Sequence, residues 1–415
     1  MQFPHHHKRT ECRLCRSSAL ECVLQLTPTP PANAFVTAAD RDRVQVAYPL
    51  DVHRCADCGH LQLLDIVDPK VMFSHYVYVS STSPVMVKYL RGQCAAMTRR
   101  LGLKPGDLVV EIGSNDGTLL RFFKEAGMRV VGVDPAANVV PNAGDIETIV
   151  DFFDENVGRR IRESHGPAKA VCAYNVCAHI DDLAGVIDGV RALLASDGQF
   201  VFEVGYLLDI YKKTLFDTIY HEHVDYHHVE PLRRFFAERG LRLLHAERSD
   251  VQGGALVGYV GAAQSLEEPS VGELIGLERE AGLHRAETFR RWGEMIRRRG
   301  EEFVALLRGL KERGRSIAAY GAPAKATTLM YHFGLDGSLI EYIVDDNPIK
   351  QGLYTPGLHV PVLAPQTLYE RKPDYVVLLA WNFAESIIAK HARYAGGDSR
   401  FILPLPNLAL HGGSG

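Results

Sequence analysis

Long apolar runs are missing from this 415-residue chain. None approaches the roughly 20 residues that cross a membrane core, so no membrane-spanning helix is expected. The opening residues, Met1-Gln-Phe-Pro-His-His-His7, lack the apolar core of a secretory signal, which favours a cytoplasmic location. Charge of one sign is not in excess either. A formal net charge of -4 gives no electrostatic case for nucleic acid or an anionic membrane. Cysteines number eight, which in a cytosolic chain of this size fits metal binding or buried thiols rather than a disulfide framework. Three nucleotide and metal signatures are also absent: the P-loop, the dinucleotide G-x-G-x-x-G, and the H-E-x-x-H of helical zinc sites. What remains is an ordinary globular composition, 46% hydrophobic and 23% charged, with room for two to four domains.

Four of the cysteines fall into two close pairs, Cys12-Arg-Leu-Cys15 and Cys55-Ala-Asp-Cys58-Gly59. Each pair can place two thiolates on one face of a tight turn, and together they suit a closed tetrahedral zinc site. His53 and His60 flank the second pair, but four cysteines already complete the shell. Between the pairs, Thr27–Asn33 is too proline-rich for a helix and Val44–His53 alternates like a strand, which predicts a small β-rich zinc module. Beyond it, Tyr76-Val-Tyr78-Val-Ser-Ser-Thr-Ser83 precedes a helix starting near Pro84. Two readings stand for that segment, an edge strand ending in an N-cap serine or a polar lining for the mouth of the next domain.

Leu108-Val-Val-Glu-Ile-Gly-Ser-Asn-Asp-Gly-Thr-Leu-Leu120 reads as a buried parallel strand, a glycine-bearing turn and a helix. Its Glu111-x-Gly113-x-Asn115-x-Gly117 rhythm differs from the dinucleotide fingerprint and points to S-adenosylmethionine rather than NAD. Asp134, closing the next strand Arg129–Asp134, is placed to accept ribose hydroxyls. Asn175 and His179 lie at or just past the carboxyl end of the fourth strand, where a doubly wound sheet opens its ligand crevice, and are expected to face the sulfonium.

The densest titratable stretch is Asp217-Thr-Ile-Tyr-His-Glu-His-Val-Asp-Tyr-His-His228. His221-Glu-His223 lacks the spacing of a helical metal site, so general acid–base work fits it better than metal binding, with a solvated helix N-terminus as the bland alternative. Helix and two reversed strands then complete the domain through about Val260. Glu267–Lys311 reads as charged linking helices. A second α/β domain begins with the strand Ser316–Gly321; Lys325 beside Thr327 and Thr328 could hold a phosphate, with Asp345 near a ribose.

Taken together, these motifs resemble the nucleotide-sugar C-methyltransferases, S-adenosylmethionine enzymes that methylate C-3 of nucleotide-linked 4-keto-deoxysugars. The resemblance spans nearly the whole chain. It is carried by the two cysteine pairs, Tyr76-Val-Tyr78, Glu111–Gly117, Asn175-Val-Cys-Ala-His179, Tyr220-His-Glu-His223, Gly253-Gly254, Tyr320-Gly-Ala-Pro-Ala-Lys325, Val344–Gly352 and Leu379-Ala-Trp-Asn-Phe383. It departs at Gly253-Gly-Ala-Leu-Val257 and Lys325-Ala-Thr-Thr328, where the family often carries Gly-Gly-Ser-Leu-Arg and Lys-Gly-Asn-Thr.

The resemblance implies an α/β chain of four parts: a zinc module over 1–75, a methyltransferase domain over 76–265, linking helices over 266–312, and a Rossmann-like nucleotide-sugar domain over 313–415. His223 matches the family's proton acceptor, with Glu222 beside it to orient the ring and Tyr220, His179, Tyr76 or Tyr78 as donors to the developing enolate. The cofactor set is Glu111, Gly113, Asn115, Gly117, Asp134 and Asn175; the substrate set is His221, Tyr320, Lys325, Asp345, Trp381 and Asn382. Structural zinc, S-adenosylmethionine, a nucleotide sugar, no nucleic acid, no membrane, and a monomer or weak homo-oligomer are expected. An NAD-dependent nucleotide-sugar oxidoreductase and a zinc-ribbon nucleic-acid methyltransferase or binding protein are the rival classes.

Overall fold

A computed structural model describes residues 5–74, 76, 78–395 and 399–412. At its centre lies a seven-stranded sheet in the order Leu241–Ser249, Ala255–Ala262, Leu194–Gly205, Ala168–Tyr174, Leu108–Ile112, Arg129–Val133, Thr148–Ile149. The five strands before residue 206 run parallel; Ala255–Ala262 is antiparallel to them, and Leu241–Ser249, antiparallel to Ala255–Ala262, runs in their direction at the edge. Leu108–Ile112 is buried at every position, as a central strand covered on both faces must be. Helices Pro84–Leu101 and Thr118–Glu125 pack on one face through Leu90, Met97, Leu119 and Phe123. Glu155–His165, Leu183–Leu193 and Val229–Glu238 cover the other through Ile161, Ile187 and Phe235.

The N-terminal module is a four-stranded antiparallel sheet, and its outermost strand, Asp225–Tyr226, comes from the central domain. The titratable stretch therefore does not start a solvated helix: it is a buried link sewn into the neighbouring module. Of the alternating Val44–His53 segment, only Val52–Cys55 is a strand. Val44 is 96% exposed and finds no partner strand, so alternation there lacks the second surface a strand needs.

Helices Pro269–Glu280 and Ala286–Glu312 lead to the C-terminal domain, whose sheet runs Val362–Leu363, Ile343–Val344, Ile317–Tyr320, Tyr375–Leu378, Arg400–Leu403, Ala409–His411. Its first five strands are parallel, and the order reverses direction between Ile317–Tyr320 and Tyr375–Leu378. The strand beside Ile317–Tyr320 is short, Ile343–Val344, and both its residues are buried. Among the described residues no helix is long and apolar enough to cross a membrane.

Candidate active site

At the carboxyl ends of the central strands opens a cavity of about 740 Å³. One wall is the turn after Leu108–Ile112, where Gly113, Asn115 and Gly117 all take positive φ (68°, 51° and 71°). Gly113 requires glycine for two reasons, its φ and its closeness to Val176, since an added Cβ would lie 2.4 Å from a methyl of that side chain. Asp134 braces the turn from the next strand, accepting the Asn115 backbone N–H at 2.8 Å and that of Ala136 at 2.8 Å. Glu111 lines the same wall with Oε2 buried and unbonded, and burial holds its carboxyl well above the usual range. An acidic oxygen left unpaired beside three left-handed residues fits a cationic, nucleoside-bearing cofactor.

The described residues between Tyr76 and Ser83 form no edge strand. Tyr76, Tyr78 and Ser80 line the cavity, and a short turn at Ser80–Thr82 is pinned where the Ser80 and Ser81 N–H groups donate to Asn115 and Asp116. Opposite lie Asn175, His179, Tyr220, Glu222 and His223. Asn175 follows the fourth strand directly at φ 57° and donates to Glu203, whose carboxyl burial pushes up to about 7.

His223 Nδ1 lies 2.8 Å from the Thr218 carbonyl, and His179 Nδ1 lies 2.7 Å from the Glu222 carbonyl. A carbonyl oxygen only accepts, so both rings carry their proton on Nδ1 and present an Nε2 lone pair. Burial lowers both, His223 to about 3, and the rings stand 4.8 Å apart. The Tyr220 hydroxyl sits 3.2 Å from His223 Nε2. Glu222 does not orient His223. Its carboxylate turns to Asn33 Nδ2, at 2.7 Å, and to the Tyr76 hydroxyl, while burial lifts its pKa to about 7.

The expected substrate residues stand elsewhere. His221 is buried against the N-terminal module, its Nε2 3.2 Å from the Pro49 carbonyl. Lys325 pairs with Asp217 at 3.4 Å beneath the Trp381 ring, and Trp381 Nε1 donates to Asp217 at 2.7 Å. Tyr320 donates to Asp346, Asp345 accepts the Ala322 and Asn347 N–H groups, and Asn382 is exposed. None of these six lines the cavity, and Gly117 stands behind the turn it shapes. Residues not anticipated do line it: Asn33 from the proline-rich segment, and Asn347 and Lys350 from the C-terminal domain. Asn33 and Lys350 belong to stretches already singled out, but no local pattern says that they converge 317 residues apart on one carboxylate's surroundings.

The four sulfurs of Cys12, Cys15, Cys55 and Cys58 lie within 4.8 Å of one another, with contacts of 3.6 Å (Cys12–Cys58) and 3.5 Å (Cys15–Cys55). Four ligands at about 2.3 Å from a zinc stand roughly 3.8 Å apart, so the cluster fits the ion.

Three family models match in succession: a zinc binding domain over residues 12–73, a methyltransferase domain over 86–246 and a C-methyltransferase C-terminal domain over 250–406. With the cavity and the cysteine cluster, they define an S-adenosylmethionine-dependent C-methyltransferase with a zinc module, and the chain belongs to the C-methyltransferase family. It is 38% identical to C-methyltransferase NovU of Streptomyces niveus over 400 residues, 95% of each chain. Among solved structures, magnesium protoporphyrin IX methyltransferase of Synechocystis PCC 6803 is 14% identical, TM-score 0.33, over 42% of this chain and 81% of that one. The PH0226 protein of Pyrococcus horikoshii OT3 is 14% identical, TM-score 0.35, over 45% and 94%.

Proposed function

We propose that the enzyme methylates C-3 of a nucleotide-linked 4-keto-deoxysugar, with deoxythymidine diphosphate as the carrier and His223 as the base. The observation that carries this reading is the tautomer of His223, whose Nδ1–H is spent on the Thr218 carbonyl, leaving Nε2 as a lone pair at the cavity wall. A sugar carbon becomes a nucleophile only after a neighbouring ketone acidifies its hydrogen, so a positioned base is the first requirement. Burial keeps His223 neutral at working pH. The imidazolium it becomes is created beside an enolate, so the charge appears as a pair and the apolar surroundings penalise it less.

Tyr220, which lies against Nε2 in the free enzyme, and Tyr76 supply hydroxyl donors for the enolate oxygen. Their pKa values are raised by burial, so both stay protonated donors. Bound S-adenosylmethionine supplies the electrophilic methyl group; Glu111, Asn115, Asp134 and Asn175 are the residues that would hold it. Lys350 and Asn347 bring the C-terminal domain to the same cavity as contacts for the nucleotide sugar.

His223→Ala should lower turnover by about 10²–10⁴-fold with S-adenosylmethionine affinity nearly unchanged. It should also stop exchange of the C-3 proton into deuterated water when a deoxythymidine-diphosphate 4-keto-sugar is incubated with S-adenosylhomocysteine. Exchange at the wild-type rate would remove His223 from the role.

A further inference from the structure

The C-terminal sheet reverses strand order between Ile317–Tyr320 and Tyr375–Leu378, the place where an open α/β sheet ordinarily offers a ligand crevice. Here the protein fills that place itself. Gly321, at φ 88°, lies so close to the opposite loop that an added Cβ would stand 2.5 Å from Cβ of Ala380. Beside it, Asp217 of the central domain is wholly buried between Lys325, 3.4 Å away, and the Trp381 indole N–H, 2.7 Å away, with Lys325 Nζ 4.2 Å from the centre of the Trp381 ring. Two residues on, the Ile219 carbonyl accepts the Thr328 hydroxyl at 2.6 Å. Between these anchors lies Thr218, whose carbonyl fixes the ring of His223.

The same helix, Ala324–Phe333, reaches the other side of the site. The Thr327 hydroxyl donates to the Ala32 carbonyl at 3.0 Å, and the next residue, Asn33, donates to Glu222. The two threonines thus hold, through neighbouring backbone, the partners of both His223 and Glu222.

We propose that Lys325, Thr328 and Trp381 are positioning residues: by clamping Asp217 and Ile219 they hold the Thr218 carbonyl in line with His223 Nδ1, and so keep the Nε2 lone pair aimed into the cavity. The proposal rests on the reading of His223 as the base. It gives the C-terminal domain a catalytic task without substrate contact by these three side chains. A buried ion pair suits such a task, because its geometry is specified by two partners that cannot turn to solvent. A misplacement of about 1 Å at a reacting group costs on the order of 10²-fold in rate, so a modest shift of the Thr218 peptide would register.

The test uses the full-length protein and three variants. Trp381→Phe keeps the ring and removes the N–H; Thr328→Val keeps the shape and removes the hydroxyl; Lys325→Met breaks the ion pair. If Lys325→Met does not fold, the two milder variants decide. Each should lower kcat for a deoxythymidine-diphosphate 4-keto-sugar about 10–100-fold, with KM for sugar and cofactor moving less than about threefold, and C-3 proton exchange should fall in parallel. Independently of any sugar, ¹⁵N spectra of histidine-labelled enzyme should show the His223 Nδ1–H signal exchanging with water at least about tenfold faster in the variants. Lys325→Arg, which keeps the charge, should recover part of the rate.

A rise of about tenfold in sugar KM with kcat and the His223 signal unchanged would make these residues substrate ligands and overturn the proposal. If His223→Ala stops C-3 exchange and the clamp variants leave exchange and the His223 signal at wild-type values, the clamp alone fails. If His223→Ala exchanges normally, the base assignment fails and takes the clamp with it.

Discussion

Replacing Asn33 by leucine, close to it in volume, should move the pKa of Glu222 upward. Glu222 is 4% exposed, and burial lifts its carboxyl from the usual 4.5 to about 7, opposed first by the Asn33 hydrogen bond and then by the Lys350 ammonium and the Tyr76 hydroxyl. Hydrogen bonds to charged groups contribute about 1.5–3 kcal/mol, and one pKa unit corresponds to about 1.4 kcal/mol, so losing this donor should raise Glu222 by roughly one to two units. The sign follows from what the donor contacts: Asn33 Nδ2 stabilises the carboxylate, and the protonated form has less use for it.

A raised acid binds its proton more tightly in the folded chain. Glu222 therefore contributes stability that is complete below pH 4.5 and is lost as pH rises through about 7. In the parent enzyme that contribution is about 3 kcal/mol, and the substitution widens the window upward. Titration of ¹³C-labelled glutamate, with Glu222→Gln to assign the signal, measures the pKa directly, and unfolding between pH 4 and 9 measures the linkage. An unchanged or lowered Glu222 pKa in Asn33→Leu would refute the reasoning, because it would mean that the Asn33 contact does not stabilise the charged form.

Elemental analysis should find about one zinc per chain, and chelation should expose the N-terminal sheet to protease, because a segment this small depends on the ion for its core; a metal-free protein with an intact, protease-resistant module would contradict it. Gly113→Ala combines a left-handed φ of 68° with a contact of 2.4 Å to Val176, so calorimetry should show S-adenosylhomocysteine binding weakened at least about tenfold and thermal unfolding a stability lower by about 2 kcal/mol. Gly258→Ala, in the strand Ala255–Ala262 away from the cavity, would put its Cβ 2.3 Å from Phe202 Cζ and should cost about 1–3 kcal/mol by denaturant unfolding, with cofactor affinity retained in the folded fraction.

The amino-acid sequence alone determined those features whose physics is local. Two C-x-x-C pairs bring their own turns, so the zinc site was legible before any fold was known, and the sulfurs do converge. A buried strand leading into Gly113, Asn115 and Gly117 announces a cofactor turn because positive φ and missing side chains are properties of single residues. Tyr220 and His223 could be singled out because a dense run of titratable groups just past the core of such a domain is unusual, and His179 because it lies just past the carboxyl end of the fourth strand, where a doubly wound sheet opens its crevice.

Tertiary structure decided which partner each of them has. Glu222 is next to His223 in sequence, yet in this short link successive side chains diverge, and the ring of His223 turns back to the Thr218 carbonyl while Glu222 crosses to Asn33. Lys325 beside two hydroxyls at a helix start has the local appearance of a phosphate cradle, but a buried carboxylate from 108 residues upstream occupies it. Asn33 and Lys350 reach the cavity only because the three folded parts close around it. Contacts across such separations depend on how the sheets stack, and no periodicity along the chain encodes them.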